Sequence, residues 1–174
     1  MKVATFRRLE QLREKYGPGI FGKIAQKLLA LAFHDAGFPF IVERGVQGVD
    51  IDVVSAAGEK YALEVKTTDG ERIPLSKENI DALEDRANDG YAPLIAALRM
   101  QLFEDWIIAA IPMRELRPGT MALAKLRAHR IRQLEAVVSP LFEGVVNRHF
   151  SDVLARGERY LIDVLEDRRN TSAS

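Results

Sequence analysis

The stretch GVDIDVVSAAGEKYALEVKTT, residues 48–68, decides the fold. Branched and aromatic residues alternate with polar ones on either side of Gly58, which predicts two strands, 48–56 and 59–68, joined as an antiparallel hairpin. The unusual feature is where the charges fall. Asp50 and Asp52 sit within the first strand and Glu64 and Lys66 within the second. Side chains two residues apart on a strand share a face, so each pair points one way, and folding near Gly58 sets the pairs side by side.

Two or three carboxylates converging on a sheet make a hard-oxygen site suited to Mg²⁺ or Mn²⁺. A lysine beside such a site can orient a water and offset charge developing on a phosphate. The expected chemistry is therefore metal-assisted hydrolysis of a phosphodiester, with two or three of the carboxylates of Asp50, Asp52 and Glu64 holding the ion and Lys66 beside it. An acid-x-Lys triplet alone more often decorates the solvated face of a strand. The context here is different, because the flanking sequence predicts a sheet covered on both sides.

That flanking sequence reads as follows. Residues 5–16 predict a short helix with Phe6, Leu9 and Leu12 on one side, broken by the Gly-Pro-Gly at 17–19. A second helix is expected over 20–36, with Ile24, Leu28, Leu31 and Ala32 as its apolar stripe and Gly37 closing it. FPFIVERG, residues 38–45, predicts the first strand. Ser76 is the expected N-cap of a helix ending near Asn88. YAPLIAALRM and WIIAAIP are nearly continuous apolar runs of strand length, the pattern of strands buried on both faces. Beyond Pro118-Gly119 helices are expected over 121–138 and 139–167, the second opening on Ser139 as N-cap and Pro140 at the first helical position. The terminal RRNTSAS is expected to fray. The fold class is α/β with a mixed sheet, an α-β-β-β-α-β-β core over residues 1–112 and a helical C-terminal region over 113–174.

Bulk composition narrows the class. Hydrophobic residues make up 47% of the 174 and charged residues 29%, as in a soluble globular domain. No apolar run is long enough to span a bilayer, and the N-terminal stretch has no apolar core of the secretory kind. With no cysteine there is neither a disulfide nor a thiolate metal site, so the expected location is cytoplasmic. The formal net charge is zero. Any nucleic-acid contact must then come from local patches.

The ordered set of motifs resembles the PD-(D/E)XK nuclease superfamily, the restriction-endonuclease-like fold. GVDIDVV followed by YALEVKTT looks like its D…ExK signature, and FGKIAQKLLALAFHDAGF is similar to its first helix. IPLSKENIDALEDRANDGYAPLIAALRM and WIIAAIP resemble the helix and strands that follow in archaeal Holliday junction resolvases. The resemblance spans roughly residues 20–112. It implies a Mg²⁺- or Mn²⁺-dependent DNA endonuclease, with Glu64 as ligand and Lys66 as catalytic lysine. Either aspartate can serve as the strand acid, Asp50 being preferred because it follows a Gly-hydrophobic pair. Many relatives place a glutamate on the first helix four residues after a glycine. Here Gly22 is followed by Gln26, which brings an amide but no charge.

Branched DNA is the substrate implied by the resemblance, and paired nicks across a junction imply a homodimer. Phosphate contacts are expected from Arg114, Arg117, Lys125, Arg127, Arg130 and Arg132, a run opposed by a single acid at Glu115. Thr68 is a possible accessory phosphate contact. His34, His129 and His149 lack metal-ligand spacing and are read as structural, and Trp106 as packing. Neither a membrane nor an organic cofactor is implied. Two other functions fit the same residues: a sequence-specific, restriction-like defence nuclease, and a nuclease-fold module that binds nucleic acid without cutting it.

Overall fold

The structure is a computed structural model and describes residues 1–44, 48–101 and 103–172. Its centre is a five-stranded sheet in the order β1-β2-β3-β5-β6. The strands are β1 (Phe40–Glu43), β2 (Ile51–Val54), β3 (Lys60–Thr68), β5 (Ala92–Arg99) and β6 (Ile107–Ala109). The expected hairpin is present, with Ile51 opposite Leu63 and Val54 opposite Lys60. β3 and β5 run parallel, joined through β4 (Arg72–Leu75) and α2 (Lys77–Asn88). The other pairings are antiparallel.

Alternation along the strands feeds two cores. On β5, Leu94, Ala96 and Leu98 enter one core while Ile95 and Ala97 enter the other. The first core lies under α1 (Val3–Asp35), α4 (Arg132–Arg156) and α5 (Glu158–Ser172). The second lies under α2, α3 (Leu123–Ala128) and a two-stranded ribbon of β4 with β7 (Gly119–Ala122). Both sheet faces are thus covered, which is why β5 and β6 can be apolar throughout.

The N-terminal helix is continuous except at Gly17, whose φ of 76° and ψ of 164° leave the helical region. Gly17 and Pro18 kink it where the sequence predicts a break. After the kink Phe21, Ile24, Ala25, Leu28, Leu29, Leu31, Ala32 and Phe33 are all buried. So broad a buried surface requires neighbours on more than one side, and α4 and α5 supply them. Ser76 caps α2 as expected: its hydroxyl accepts from Asn79 N–H, and the Asn79 side chain returns to Ser76 N–H.

The C-terminal third departs from the expected helices. Residues 119–122 form β7 rather than the start of a helix, because Met121 pairs with Ile73 and buries its side chain in the second core. Residues 129–131 then bond to the edge of β6, with Ala110 N–H donating to His129 O and Ile131 N–H to Ile108 O. That pairing separates α3 from α4. Ser139 and Pro140 lie inside α4 instead of opening a helix. Val138, Phe142, Val145 and Val146 are buried against the sheet and α1, and this packing carries the helix through the proline. The break falls at Gly157, with φ 68°. Trp106 is fully buried and meets the Phe142 ring edge-on at 5.4 Å, so it packs as expected. The expected fraying at the C-terminus is not seen through residue 172, where α5 continues; residues 173 and 174, like residue 45 at the end of the expected first strand, lie outside the described residues.

His34 on α1 and His149 on α4 both sit against the Arg148–Arg168 side of the helical layer, and their Nε2 atoms are buried without a partner among the described residues. Burial, and next to it Arg168 for His34 and Arg148 for His149, hold both below the usual histidine value. The unfolded chain therefore takes up protons that the folded one refuses. The stability these two histidines contribute is complete above pH about 6.5 and falls as pH drops below it. In a Glu64→Gln background, which removes a carboxyl that titrates with the opposite sign near pH 7, urea midpoints between pH 7.5 and 5.5 should decline with acidification, and His149→Gln should flatten that slope.

Candidate active site

β3 is longer than its partner β2, and the site forms where β2 leaves. The β2–β3 ladder starts at Ile51 opposite Leu63, so the N–H of Val65 has no strand partner on that side. The Asp50 carboxylate takes the place, accepting from Val65 N–H at 2.7 Å. Asp50 itself lies at a bend before the strand. Its carboxyl is held above the usual aspartate value, chiefly by burial.

Glu64 and Lys66 follow on the face of β3 shared with Ala62, toward α2. Glu64 is only 2% exposed. One carboxylate oxygen accepts from Lys66 Nζ at 2.7 Å, and the other is buried with no partner among the described residues. Burial first, and then the Asp50 charge, push its pKa up to about 7 against the pull of Lys66. Lys66 also donates to Asn79 Oδ1 at 3.1 Å, which ties it to the first turn of α2. Sequence reasoning missed this role of Asn79, although the Ser-x-x-Asn capping pattern was legible.

Asp52 does not join Asp50 and Glu64. At 1% exposure it is bonded by two guanidinium groups, Arg44 at 3.0 Å and Arg86 of α2 at 3.0 Å. Arg86 in turn lies 3.9 Å over the Tyr91 ring. A carboxylate so engaged has no oxygen to spare for an ion. The shared face expected for the two aspartates fails because the bend at residue 50 interrupts strand alternation.

Gln26 is buried on α1 and turns its amide nitrogen toward Glu43 Oε1 at 2.8 Å and toward the carbonyls of Arg44 and Asp50, each at 3.2 Å. All three neighbours are acceptors, so the amide faces them with its N–H groups. Thr68 is occupied in a turn, donating to Arg72 O at 2.8 Å and accepting from Gly70 N–H. Of the six cations expected to meet phosphate, Lys125 pairs with Glu115, Arg127 with Glu71 and Glu104, and Arg130 with Glu135. Arg114, Arg117 and Arg132 are exposed, with no ion pair among the described residues.

Among the described residues no three acidic or histidine side chains gather closely enough to hold a metal together. The two acids whose charges act on one another here are Asp50 and Glu64. A buried carboxylate oxygen without a hydrogen-bond donor is nonetheless the feature a cation would satisfy, and hard oxygens suit Mg²⁺ or Mn²⁺. The residues present fit one such ion with the rest of its shell left to water.

Two substitutions separate the aspartate and glutamate roles. In metal-free protein, charged Glu64 is a liability: the folded state keeps its proton to about pH 7 while the unfolded chain loses it near the usual glutamate value, so stability falls as pH rises through that interval. Glu64→Gln should raise Tm at pH 8 by roughly 5 °C in calorimetry. Asp52→Asn should instead destabilise by about 2 kcal/mol in urea titrations, since it removes the buried charged acceptor of Arg86, which keeps Asp89, while Arg44 can turn to solvent.

No protein-family model matches the sequence, and no curated protein does. Among solved structures the chain is similar to Archaeoglobus fulgidus Hjc, a Holliday junction resolvase from an archaeal hyperthermophile. The likeness has a TM-score of 0.53 at 17% identity and covers 66% of this chain and 95% of Hjc. Shared architecture over nearly all of that smaller protein, with the mixed five-stranded sheet described above, shows that this chain has the fold of Hjc.

Proposed function

We propose that the protein is a divalent-metal-dependent DNA endonuclease that cuts branched DNA of the Holliday-junction type. The observation that carries this reading is the unpartnered Glu64 oxygen beside Asp50 and Lys66, at the point where β2 leaves β3. Hjc, whose fold the chain shares, is described as a Holliday junction resolvase.

In this reading Asp50 and Glu64 hold the ion and Lys66, fixed by Glu64 and Asn79, points its remaining N–H at a phosphate oxygen or the attacking water. A bound Mg²⁺ or Mn²⁺ supplies Lewis-acid stabilisation of the charge that builds on the phosphate. Water gives up a proton to solvent as its oxygen bonds to phosphorus, the P–O bond to the leaving strand breaks, and the leaving oxygen takes a proton from solvent. Asp52 acts outside the chemistry, anchoring α2 to β2 through Arg86. Backbone phosphates would meet Arg114, Arg117 and Arg132 before the arginines and lysine that are already paired. Two symmetric nicks call for a homodimer. No organic cofactor enters the scheme.

A second reading rests on Gln26. Its amide is committed to Glu43 and two carbonyls, so α1 contributes no negative charge to the site, as expected of a nuclease-fold module that binds DNA without cutting it.

Nicking of labelled four-way junction, flap and linear duplex DNA with Mg²⁺ or Mn²⁺ distinguishes these. Junction cutting should fall by roughly a hundredfold or more in Glu64→Ala and in Lys66→Ala. Cutting of linear duplex at fixed sequences would indicate the restriction-like function instead. Binding without cutting of any substrate would establish the non-catalytic module.

A further inference from the structure

Lys27 is a lysine at 4% exposure, and nothing in the proposed chemistry uses it. It lies next to Gln26 on α1 and makes two ion pairs, 2.8 Å to Glu43 of β1 and 2.9 Å to Glu158 at the start of α5. Glu43 also takes the Gln26 amide, so one of its oxygens is shared by two donors from α1. Gln26 simultaneously reaches the backbone carbonyl of Asp50. The cluster is therefore built against the aspartate of the site, and the charges of both Glu43 and Lys27 are felt by the Asp50 carboxyl.

The charges divide into two sets. Asp50 and Glu64 against Lys66 leave one net negative charge. Glu43 and Glu158 against Lys27 leave a second. Two negative charges balance a divalent cation, and neither set does so alone. An ion held at a site of lower charge would leave part of its field uncompensated by the protein. The unpartnered Glu64 oxygen marks where the cation would be felt most strongly.

We infer that the Glu43–Lys27–Glu158 triad is an outer acidic partner of the Asp50–Glu64 site and sets its affinity for divalent cations. This rests on the metal site proposed above. Glu43 is a positioning and charge-balancing residue, not a ligand, since no third acid converges on Asp50 and Glu64 among the described residues. The negative charge that α1 lacks at Gln26 is delivered from the neighbouring strand, with the Gln26 amide holding it in place. Because Glu158 belongs to α5, the C-terminal helices contribute to the site as well as to the core.

Calorimetric titration of the full chain with MnCl₂ at pH 8, alongside Tm without metal, tests the idea. Glu43→Gln and Glu158→Gln should each weaken Mn²⁺ binding roughly fivefold, the scale of one unit charge acting on a divalent ion across several ångströms of water-like dielectric. Lys27→Met should tighten it, a change of sign that mere loss of packing would not produce. Glu158→Gln, at the more exposed end, keeps the test usable if Glu43→Gln misfolds, and its effect should shrink in 0.5 M KCl. Asp50→Asn and Glu64→Gln are the reference variants. If they abolish Mn²⁺ binding while the triad variants leave it unchanged, the triad is structural only and the inference is overturned. If Asp50→Asn and Glu64→Gln also leave binding unchanged, the metal site itself is wrong and the inference falls with it.

Discussion

A carboxylate buried in a sheet with one oxygen bonded and the other bare is the constraint around which this molecule is arranged. Glu64 lies beneath α2, and the layers on both sides of the sheet that exclude water from it also raise its pKa to about 7. Solvent would relieve that cost at once, so the covering layers have to be complete. Lys66 offsets part of it and is itself steered by Asn79, whose position depends on the capping of α2. The strain at Glu64 is thus held by an entire face of the fold. Sites of this kind are where local stability is given up for function.

The two aspartates show how a single bend divides similar residues between roles. Asp50 falls where the β2–β3 ladder has ended, and its side chain substitutes for a missing strand by bonding Val65 N–H. Asp52, two residues on, is within the ladder and faces Arg86 of α2 and Arg44 beyond β1. One carboxylate keeps an oxygen available and the other has none. The difference arises from hydrogen-bond competition and not from residue type.

The helices α4 and α5 complete the first core rather than standing apart from it. Val138, Phe142, Val145, Val146, Val153, Leu161 and Leu165 join the same cluster as Phe21 through Phe33 of α1. The same layer brings Glu158 to Lys27, and Glu135 closes the β6 edge by accepting from Ile108 N–H at 2.9 Å. An edge closed in this way offers no open ladder for another strand. Hjc is matched over 95% of its length by 66% of this chain, so a part of this molecule of appreciable size has no counterpart in that structure.

Local patterns determined a good deal of this protein by themselves. Period-two alternation around Gly58 specified the hairpin, Gly17-Pro18 the kink of α1, and Ser76 the start of α2, since each depends on backbone preferences acting over a few residues. Glu64 and Lys66 were legible for the same reason: a charged pair on one face of a strand between apolar runs is a local anomaly. Tertiary structure alone decided the rest. It made residues 119–122 a strand, because Met121 found Ile73 across the second core, and carried α4 through Pro140, because burial on both sides outweighed one lost hydrogen bond. It also set Asp52 against two arginines from distant segments and joined Glu43, Lys27 and Glu158 in one ion-pair cluster. Those partners are up to 131 residues apart in sequence, Lys27 from Glu158. No local pattern encodes which charges will meet over such a separation; that is settled only when the layers pack.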